Sequence, residues 1–450
     1  MRATVARISP AFCLTRSEGR RQLAKMPCLA LPFRIYCTRM RILHTSDWHL
    51  GQNFMNHSRE REHTVLIDWL LEQTQVHAVD AVLVAGDIFD TGTPPSYARA
   101  LYYRLIAGLH QRNVALLLLG GNHDSVSVLS ESLPLMAHLN TTVIAATGDA
   151  TQHVVTLPLR GSTVPGCIVC ALPFIRPRDV LTSQAGQSAE DKQRSLQTAI
   201  QSLYAQVFSA AQTLQAELLA QHGVHVPIVA TGHLTTVGAS SNESVREIYV
   251  GALEAFPTSA FPPADYIALG HIHKPQKVGG LEHIRYCGSP IALGFDEARQ
   301  TKEVLLVELN QQGLHAITPL PTPVCQRLVS VTGNLASLPA ALSALAAQGT
   351  PEHPVWLEVT VQEDDYLPDL APRIDAMVQD LPLQVLRVKR QRGTATPQLF
   401  TDTGESLDAL TPTEVFARRL AQETVEPALQ AALNARYQEV LSSLRTGDAA

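Results

Sequence analysis

The 450-residue chain has no run of eighteen uninterrupted apolar residues, so it offers no segment long enough to span a membrane as a helix. It has seven cysteines, an odd number without the spacing of a disulfide framework, and no clear secretory signal. Cys167 and Cys170 form a lone C-x-x-C within an apolar run, which predicts a buried, inert pair rather than a zinc or redox site. These absences predict a cytoplasmic protein with reduced thiols.

The chain also lacks excess positive charge and a nucleotide-binding loop. Its formal net charge is −6, and residues 1–39 alone hold eight Lys or Arg against one acid, so the remainder carries −13. Because Lys and Arg supply much of the affinity for DNA, a body this acidic would bind DNA only through local patches or a shared surface. No G-x-x-x-x-G-K-[ST] loop occurs, so any ATP dependence would come from a partner.

Five short polar motifs each closely follow a mostly apolar run. The motifs are Asp47-Trp48-His49, Gly86-Asp87, Gly120-Gly121-Asn122-His123-Asp124, Gly232-His233 and Gly270-His271-Ile272-His273. The short apolar runs before them are typical of buried strands, and open α/β sheets place ligands at the carboxyl ends of their strands. The pattern therefore predicts one polar site assembled from five strand ends.

The residue types in these motifs point to metal chemistry. Two divalent cations acting on a phosphoryl group need a shared anionic bridge and separate ligands, and Asp87 is placed to be that bridge. Carboxylate, amide and imidazole donors without cysteine suit Mn, Fe or Zn. Any one motif alone would more often be an ordinary strand-end turn, but five in order favour a two-metal phosphoesterase site.

The sequence resembles the calcineurin-like metallophosphoesterase superfamily and, within it, the bacterial SbcD family of double-strand-break repair nucleases. The strings that carry the resemblance are ILHTSDWHLGQ, LVAGDIFDTGTPPS, GGNHDS, TGHLT, ALGHIHKPQ and YCGSPIALGF. Protein Ser/Thr phosphatases of the superfamily carry Arg and Glu where this chain has Thr91 and Asp124. The resemblance implies two stacked mixed sheets flanked by helices, an α/β fold of four layers, over residues 40–316.

The resemblance also assigns residues to the site. It implies two divalent ions, Mn²⁺ in the first place with Mg²⁺ as the other possibility, and a catalytic His123 that does not bind them. The implied ligands are Asp47, His49, Asp87 and His273 for the first ion, and Asp87, Asn122, His233 and His271 for the second. The implied activities are a 3′-to-5′ exonuclease on double-stranded DNA and an endonuclease on single strands and hairpins, serving DNA repair, recombination and replication.

The sequence divides into further segments on either side of this domain. Residues 1–39 show no clear periodicity and are interpreted as an extension outside the fold, either a misassigned start before Met40 or a leader. Residues 325–392 alternate strand and helix patterns and predict a small α/β cap, and 393–405 are polar and turn-rich, typical of a linker. The longest predicted helix spans 190–221, and shorter ones span 59–76 and 96–110.

Residues 406–450 predict two amphipathic helices with apolar faces formed by Val415, Phe416 and Leu420, and by Leu433, Tyr437 and Leu441. These faces suit a partner helix, although folding back on the cap is an open alternative. The resemblance implies that this tail binds SbcC, an SMC-like ATPase, in a heterotetramer that contains a dimer of this chain. DNA contacts are predicted at Arg59 and Arg61, behind the first motif, and at Lys389 and Arg390; solvated surface charge is the alternative for each.

Two other functions remain open from the sequence. A phosphomonoesterase or a cyclic-nucleotide phosphodiesterase would use the same site on small substrates, but would have little use for the cap and the tail. A non-catalytic scaffold with a phosphoesterase fold would have no need to keep all seven ligand positions and His123.

Overall fold

A computed structural model of the chain describes residues 39–181, 188–240, 255–362 and 369–391, with 416, 420 and 429–437. The predicted extension, apart from Arg39, and the predicted linker lie outside the described residues. The strands are β1 Met40–Thr45, β2 Asn53–Phe54, β3 His57–Ser58, β4 Ala81–Val84, β5 Ala115–Leu119, β6 Thr141–Ile144, β7 Val154–Pro158, β8 Pro165–Cys170, β9 Ile228–His233, β10 Tyr266–Gly270, β11 Gln276–Val278, β12 Leu281–Tyr286, β13 Glu303–Asn310, β14 Gly313–Pro321, β15 Leu328–Gly333, β16 Val355–Gln362 and β17 Leu383–Gln391.

The helices agree with the amphipathic patterns to within a few residues. They are α1 Glu60–Val76, α2 Ser96–Gln111, α3 Val126–Ser130, α4 Leu133–Ala137, α5 Pro177–Val180, α6 Ala189–His222, α7 Leu338–Ala346 and α8 Leu370–Val378, with 3-10 turns at Ala150–His153, Thr258–Ala260 and Phe295–Glu297. None of the described helices is long and apolar enough to cross a membrane.

Two six-stranded sheets form the main body. The first has the order β14-β13-β1-β4-β5-β6, with β1, β4, β5 and β6 parallel, and the second has the order β11-β12-β10-β9-β8-β7. Alternate residues of their strands pack against each other between the sheets, as Ile42 and Leu83 do with Val169 and Tyr266. Burial on both faces explains why these strands are continuous apolar runs.

Helices cover the outer faces of both sheets. Leu66 and Leu70 of α1 and Leu105 of α2 pack on the first sheet, while Leu196 and Ile200 of α6 pack on the second. The layers are therefore helix, sheet, sheet and helix, which confirms the predicted four-layer α/β fold. Cys167 and Cys170 are free and buried in β8, and burial raises the pKa of the Cys170 thiol to about 12.

The predicted cap is a three-stranded parallel sheet, β15-β16-β17, with α7 and α8 on one face. It contacts the main body through the β2–β3 hairpin: the Trp356 ring lies 6.1 Å from the Phe54 ring and 5.0 Å from the His57 ring. Beyond the cap, residues 429–437 are helical and the Phe416 and Tyr437 rings stack at 4.0 Å. Val415 and Leu441 lie outside the described residues.

Candidate metal centre

The five polar motifs meet where the two sheets adjoin. β1 and β4 are parallel neighbours, so their carboxyl ends bring Asp47 and Asp87 together, and the amide of Asp47 donates to the Gly86 carbonyl at 3.0 Å. β9 and β10 do the same for His233 and His271 in the second sheet. The His271 amide donates to the Asp47 carboxylate at 2.9 Å and ties the two sheets together at the site.

Four of the seven predicted ligands have left-handed backbone conformations. The φ angles are 52° for Asp47, 48° for His49, 51° for Asp87 and 94° for His271. Such conformations cost of order 1–3 kcal/mol each in residues other than glycine, and they concentrate at functional sites. The surrounding sheets therefore hold these side chains in directions that the local sequence does not favour.

Glycine is required where the motifs approach each other most closely. A Cβ atom on Gly121 would lie 2.1 Å from Asp87 Oδ1, and one on Gly86, whose φ is +95°, would lie 2.3 Å from His233 Nδ1. Both distances are far below van der Waals contact. The glycines of the GD and GGNHD motifs thus leave room for the ligands beside them.

Two groups of donors share one carboxylate. Donor atoms of Asp47, His49 and His273 lie within 4.8 Å of one another, and so do those of Asp87, His233 and His271. Asp87 Oδ2 lies 3.2 Å from His233 Nε2 and 3.7 Å from His49 Nε2, so it stands between the groups. Asn122, the remaining predicted ligand, lies beside the second group, with its Oδ1 2.9 Å from His233 Nε2. The structure therefore brings all seven predicted ligands together.

The donor set fits divalent cations. The Nε2 atoms of His49 and His271 are buried and have no hydrogen-bond partner in the described part of the chain. A buried polar atom without a partner costs about 1–3 kcal/mol, so these imidazoles need a further ligand. Mixed carboxylate, amide and imidazole donors suit Mn, Fe or Zn, and the described cluster contains no thiolate.

Electrostatics also favour positive charge at the centre. Burial would raise the pKa of Asp87, but the imidazoles of His233, His49 and His123 hold it well below its usual range. Burial would lower the pKa of His233, but Asp87 and Asp47 raise it to about 9. Burial and the charge of His233 together hold the pKa of His271 well below 6.5. The buried carboxylates thus favour positive charge around them, and they also raise the pKa of His49 against the opposing effect of burial.

His123 lies beside the two groups. Its ring centroid is 4.7 Å from that of His49, and its amide donates to Asp87 Oδ1 at 2.9 Å. Nδ1 lies 2.8 Å from the carbonyl oxygen of Asp90. Since a carbonyl only accepts, Nδ1 carries the proton of the neutral ring and Nε2 is the atom that can take up or release another. Donor atoms of His123, His49 and Asp90 also lie within 4.8 Å of one another.

Two carboxylates, Asp124 and Glu297, support the site in roles that the sequence analysis did not assign. Asp124 accepts the amide protons of Gly121 at 2.8 Å and Phe89 at 2.9 Å, and burial together with Asp87 raises its pKa to about 6. Its place in the GGNHD motif was a signal that could have been read. Glu297 accepts from His273 Nδ1 at 2.9 Å, but its position after the last motif gave no signal.

The chain is similar to known proteins along most of its length. Residues 40–275 match the calcineurin-like phosphoesterase family, and residues 324–424 match the family described as type 5 capsule protein repressor C-terminal domain, SbcD_C. The SbcD subunit of the SbcCD nuclease from Escherichia coli (strain K12) is 49% identical over 405 residues, which cover 90% of this chain and 98% of that protein. This chain belongs to the SbcD family. The resemblance drawn from the motifs is thereby confirmed.

More distant members of the SbcD family also match. The corresponding SbcCD nuclease subunit of Rhodobacter capsulatus is 31% identical, with 84% of this chain and 94% of that protein covered. The Bacillus subtilis protein of the same name is 30% identical over 60% of this chain and 66% of its own length. Among solved structures, a β-glucosidase from Exiguobacterium marinum covers 78% of this chain and 89% of its own at 10% identity, but its TM-score of 0.21 carries no argument.

The predicted DNA contacts do not all face the site. Arg59 is wrong as a phosphate contact, because its side chain is fully buried, paired with Glu62, and donates to the Ala292 carbonyl at 2.8 Å. Arg61 is exposed and contacts His353 of the cap. Lys389 is exposed at the end of β17, with Nζ 3.1 Å from the Glu358 carboxylate, and Arg390 is half-buried beside it.

A cleft opens over the metal centre between the main body and the cap. Its volume is about 270 Å³, and its floor includes His49, His123 and His273. Phe54 and Phe295 line its sides. The cap contributes Arg387 to the same cleft, a residue that the sequence analysis did not single out.

Proposed function

We propose that this SbcD-family chain is a metal-dependent DNA nuclease that cleaves phosphodiester bonds at the cleft over the metal centre. The observation that carries the proposal is the position of the Asp87 carboxylate between two imidazole groups, 3.2 Å from His233 and 3.7 Å from His49. One carboxylate between two sets of donors is the arrangement that a pair of divalent ions requires.

The roles of the residues follow from this arrangement. Asp47, His49 and His273 would hold one ion, Asn122, His233 and His271 the other, and Asp87 both. Bound ions would polarise the phosphate and lower the pKa of an attacking water. The hydrogen bond from Nδ1 to the Asp90 carbonyl would orient the His123 ring. Its Nε2 would then stabilise the developing charge or protonate the leaving oxygen. Mn²⁺ is the preferred ion, with Mg²⁺ as the other.

DNA is a better substrate than a small ester for two reasons. The cap contributes a basic side chain to the cleft, which a small monoester would not need. The E. coli and R. capsulatus relatives are named as nuclease subunits and match nearly their full length. The proposed activities are a 3′-to-5′ exonuclease on duplex DNA and an endonuclease on single strands and hairpins.

Two variants test the division of roles. Asp87→Ala should abolish cleavage of a DNA hairpin with loss of bound metal, because it removes the shared ligand. His123→Ala should abolish cleavage with metal content unchanged, because His123 stands beside the ligands. Elemental analysis measures the bound metal, and a Mn²⁺-dependent nuclease assay measures cleavage of the hairpin. Loss of metal in both variants would refute the separate role of His123. Hydrolysis of p-nitrophenyl phosphate by the wild-type chain, without cleavage of DNA, would refute the proposed nuclease activity.

We further propose that the tail binds SbcC, the SMC-like ATPase, in a heterotetramer built around a dimer of this chain. The relatives are named as one subunit of an SbcCD nuclease, which supports a complex of this kind. Leu433 is 39% exposed on the helical segment 429–437, an apolar side chain available to a partner. Deleting residues 407–450 should remove association with the ATPase and leave Mn²⁺-dependent cleavage intact. Full co-purification of the shortened chain with the ATPase would place the interface elsewhere.

A further inference from the structure

We propose that Arg387 of the cap is a substrate-positioning residue that holds a backbone phosphate of DNA next to the phosphate being cleaved. This inference rests on the proposed nuclease function and deepens it. The cap would take part in substrate binding through this one side chain, whose direction is set by an irregularity in β17.

The cleft needs a cation where Arg387 stands. Among the twelve described residues that line the cleft, Arg387 is the one Arg or Lys. The lining also includes two acids, Asp296 and Asp90, and Asp90 Oδ1 lies 3.1 Å from His49 Nδ1. The metal centre can neutralise the phosphate at the floor of the cleft, but a neighbouring phosphate on the same strand would meet these carboxylates. A fixed guanidinium would offset that repulsion and fix the register of the strand.

A β-bulge turns Arg387 toward the cleft. Leu357 pairs with Val385 and Glu358 pairs with Arg387, so Leu386 is an extra residue in β17. Because side chains alternate along a strand, Arg387 would otherwise share the helix-covered face with Leu383 and Val385. The bulge reverses this alternation and places Arg387 on the opposite face of the cap sheet, a known use of bulges beside functional sites.

The guanidinium is held in place from two sides. Its Nε and Nη2 atoms contact the Glu358 carboxylate, and its central carbon lies 5.8 Å from the centroid of the Phe295 ring. Glu358 is itself nearly buried, with a side chain 9% exposed, whereas the Arg387 side chain is 40% exposed. Glu358 engages one edge of the planar group, and Arg has five N–H donors, so donors remain for a phosphate. Such preorganisation lowers the entropy cost of binding.

The same geometry ranks the other basic residues of β17. Lys389, two positions along, shares the face of Arg387 and the same Glu358 partner, so it can extend the contact outward along the strand. Arg390 lies on the same face of β17 as Val388, which packs on the helix-covered core of the cap. The structure thus favours Arg387 over both residues that the sequence had indicated.

Arg387→Ala tests the proposal in the full-length chain. Hydrogen bonds to charged groups predict a rise of about 10- to 100-fold in KM for a DNA hairpin, with kcat changed much less, because positioning and not chemistry is lost. Losing one phosphate contact should also reduce the slope of log KM against log salt by about one. Arg387→Lys should recover part of the affinity, since Lys keeps the charge but not the planar fork.

The matched control is Arg373→Ala, which removes the same charge from a different face of the cap. Arg373 lies on helix α8, is 49% exposed and pairs with Asp369. It should leave KM and the salt slope at wild-type values. The proposal is overturned if Arg387→Ala matches Arg373→Ala, or if it lowers kcat with KM unchanged, which would indicate an effect on the metal centre. A wild-type chain that binds metal but cleaves no DNA would instead refute the proposed function.

Discussion

Replacing Glu297 by glutamine tests the residues that hold the proposed metal ligands in place. Glu297 is fully buried in the 3-10 turn Phe295–Glu297, and its Oε1 accepts from His273 Nδ1 at 2.9 Å. Its Oε2 accepts from Ser289 Oγ at 3.0 Å, from the Leu293 amide at 3.0 Å and from Lys302 Nζ at 2.6 Å. The carboxylate therefore fixes the His273 ring so that Nε2 is the nitrogen left for the proposed metal ion.

The magnitude follows from two separate losses. An amide at position 297 keeps a carbonyl acceptor but loses the charge, and loss of such an outer carboxylate typically costs about 10- to 100-fold in metal affinity. It also leaves the Lys302 ammonium, 7% exposed, without its counter-charge. Breaking a buried ion pair on one side lowers the free energy of unfolding by about 3–5 kcal/mol. The double variant Glu297→Gln/Lys302→Met should recover much of that stability and none of the metal affinity.

Metal titration by calorimetry on the stripped protein, beside chemical denaturation, separates these effects. In Glu297→Gln we expect one binding event to weaken about 10- to 100-fold and the other to stay near its wild-type value. The ¹⁵N chemical shifts of His273 should show a mixed tautomer in place of a single one. Two results would refute the argument that Glu297 acts through His273. One is an equal loss of affinity in both metal-binding events, and the other is wild-type affinity in both events together with a lower free energy of unfolding.

Two further variants probe close packing and burial. Gly121→Ala should abolish metal binding, read by elemental analysis, because its Cβ would lie 2.1 Å from Asp87 Oδ1; Gly92→Ala, whose Cβ has only a 3.7 Å contact, should bind metal normally. Arg59→Ala should lower the free energy of unfolding by about 3–5 kcal/mol, because the buried Glu62 carboxylate loses its ion-pair partner. Arg61 is exposed, so Arg61→Ala should change the free energy of unfolding by about 1 kcal/mol or less. A wild-type denaturation curve for Arg59→Ala would contradict its buried role.

The clustering of the seven proposed ligands could be predicted from the sequence because it follows directly from local patterns. Strands buried on both faces must be short apolar runs, and the polar residues after them must lie at strand ends. Asp47 and Asp87 needed only the parallel pairing of β1 with β4 to meet. The helices were equally accessible, since α6 was predicted at 190–221 and spans Ala189–His222.

The roles of Glu297 and Arg59 could not be predicted, because they depend on contacts between distant segments, whereas the role of Asp124 was signalled by its place in the GGNHD motif. Glu297 lies 24 residues beyond His273, in a short 3-10 turn with no periodicity of its own. From the sequence, Arg59 looked like a surface charge behind a metal motif. In the structure it pairs with Glu62, one helical turn away, and the cap lies over both residues, with the Trp356 ring 5.8 Å from the guanidinium. The burial of Arg59 under the cap cannot be read from the residues next to it in the sequence.

Arg59 and Arg387 show why charge alone is a poor guide to a nucleic-acid surface. Each arginine pairs with a glutamate and lies close to an aromatic ring, at 5.6 Å from Phe54 and 5.8 Å from Phe295 respectively. Their exposures nevertheless differ, 0% against 40%, because α1 lies under the cap whereas the bulge in β17 turns Arg387 into the cleft. The bulge thus leaves Arg387 exposed at the cleft, whereas the cap buries Arg59. No count of basic residues along the chain contains that information.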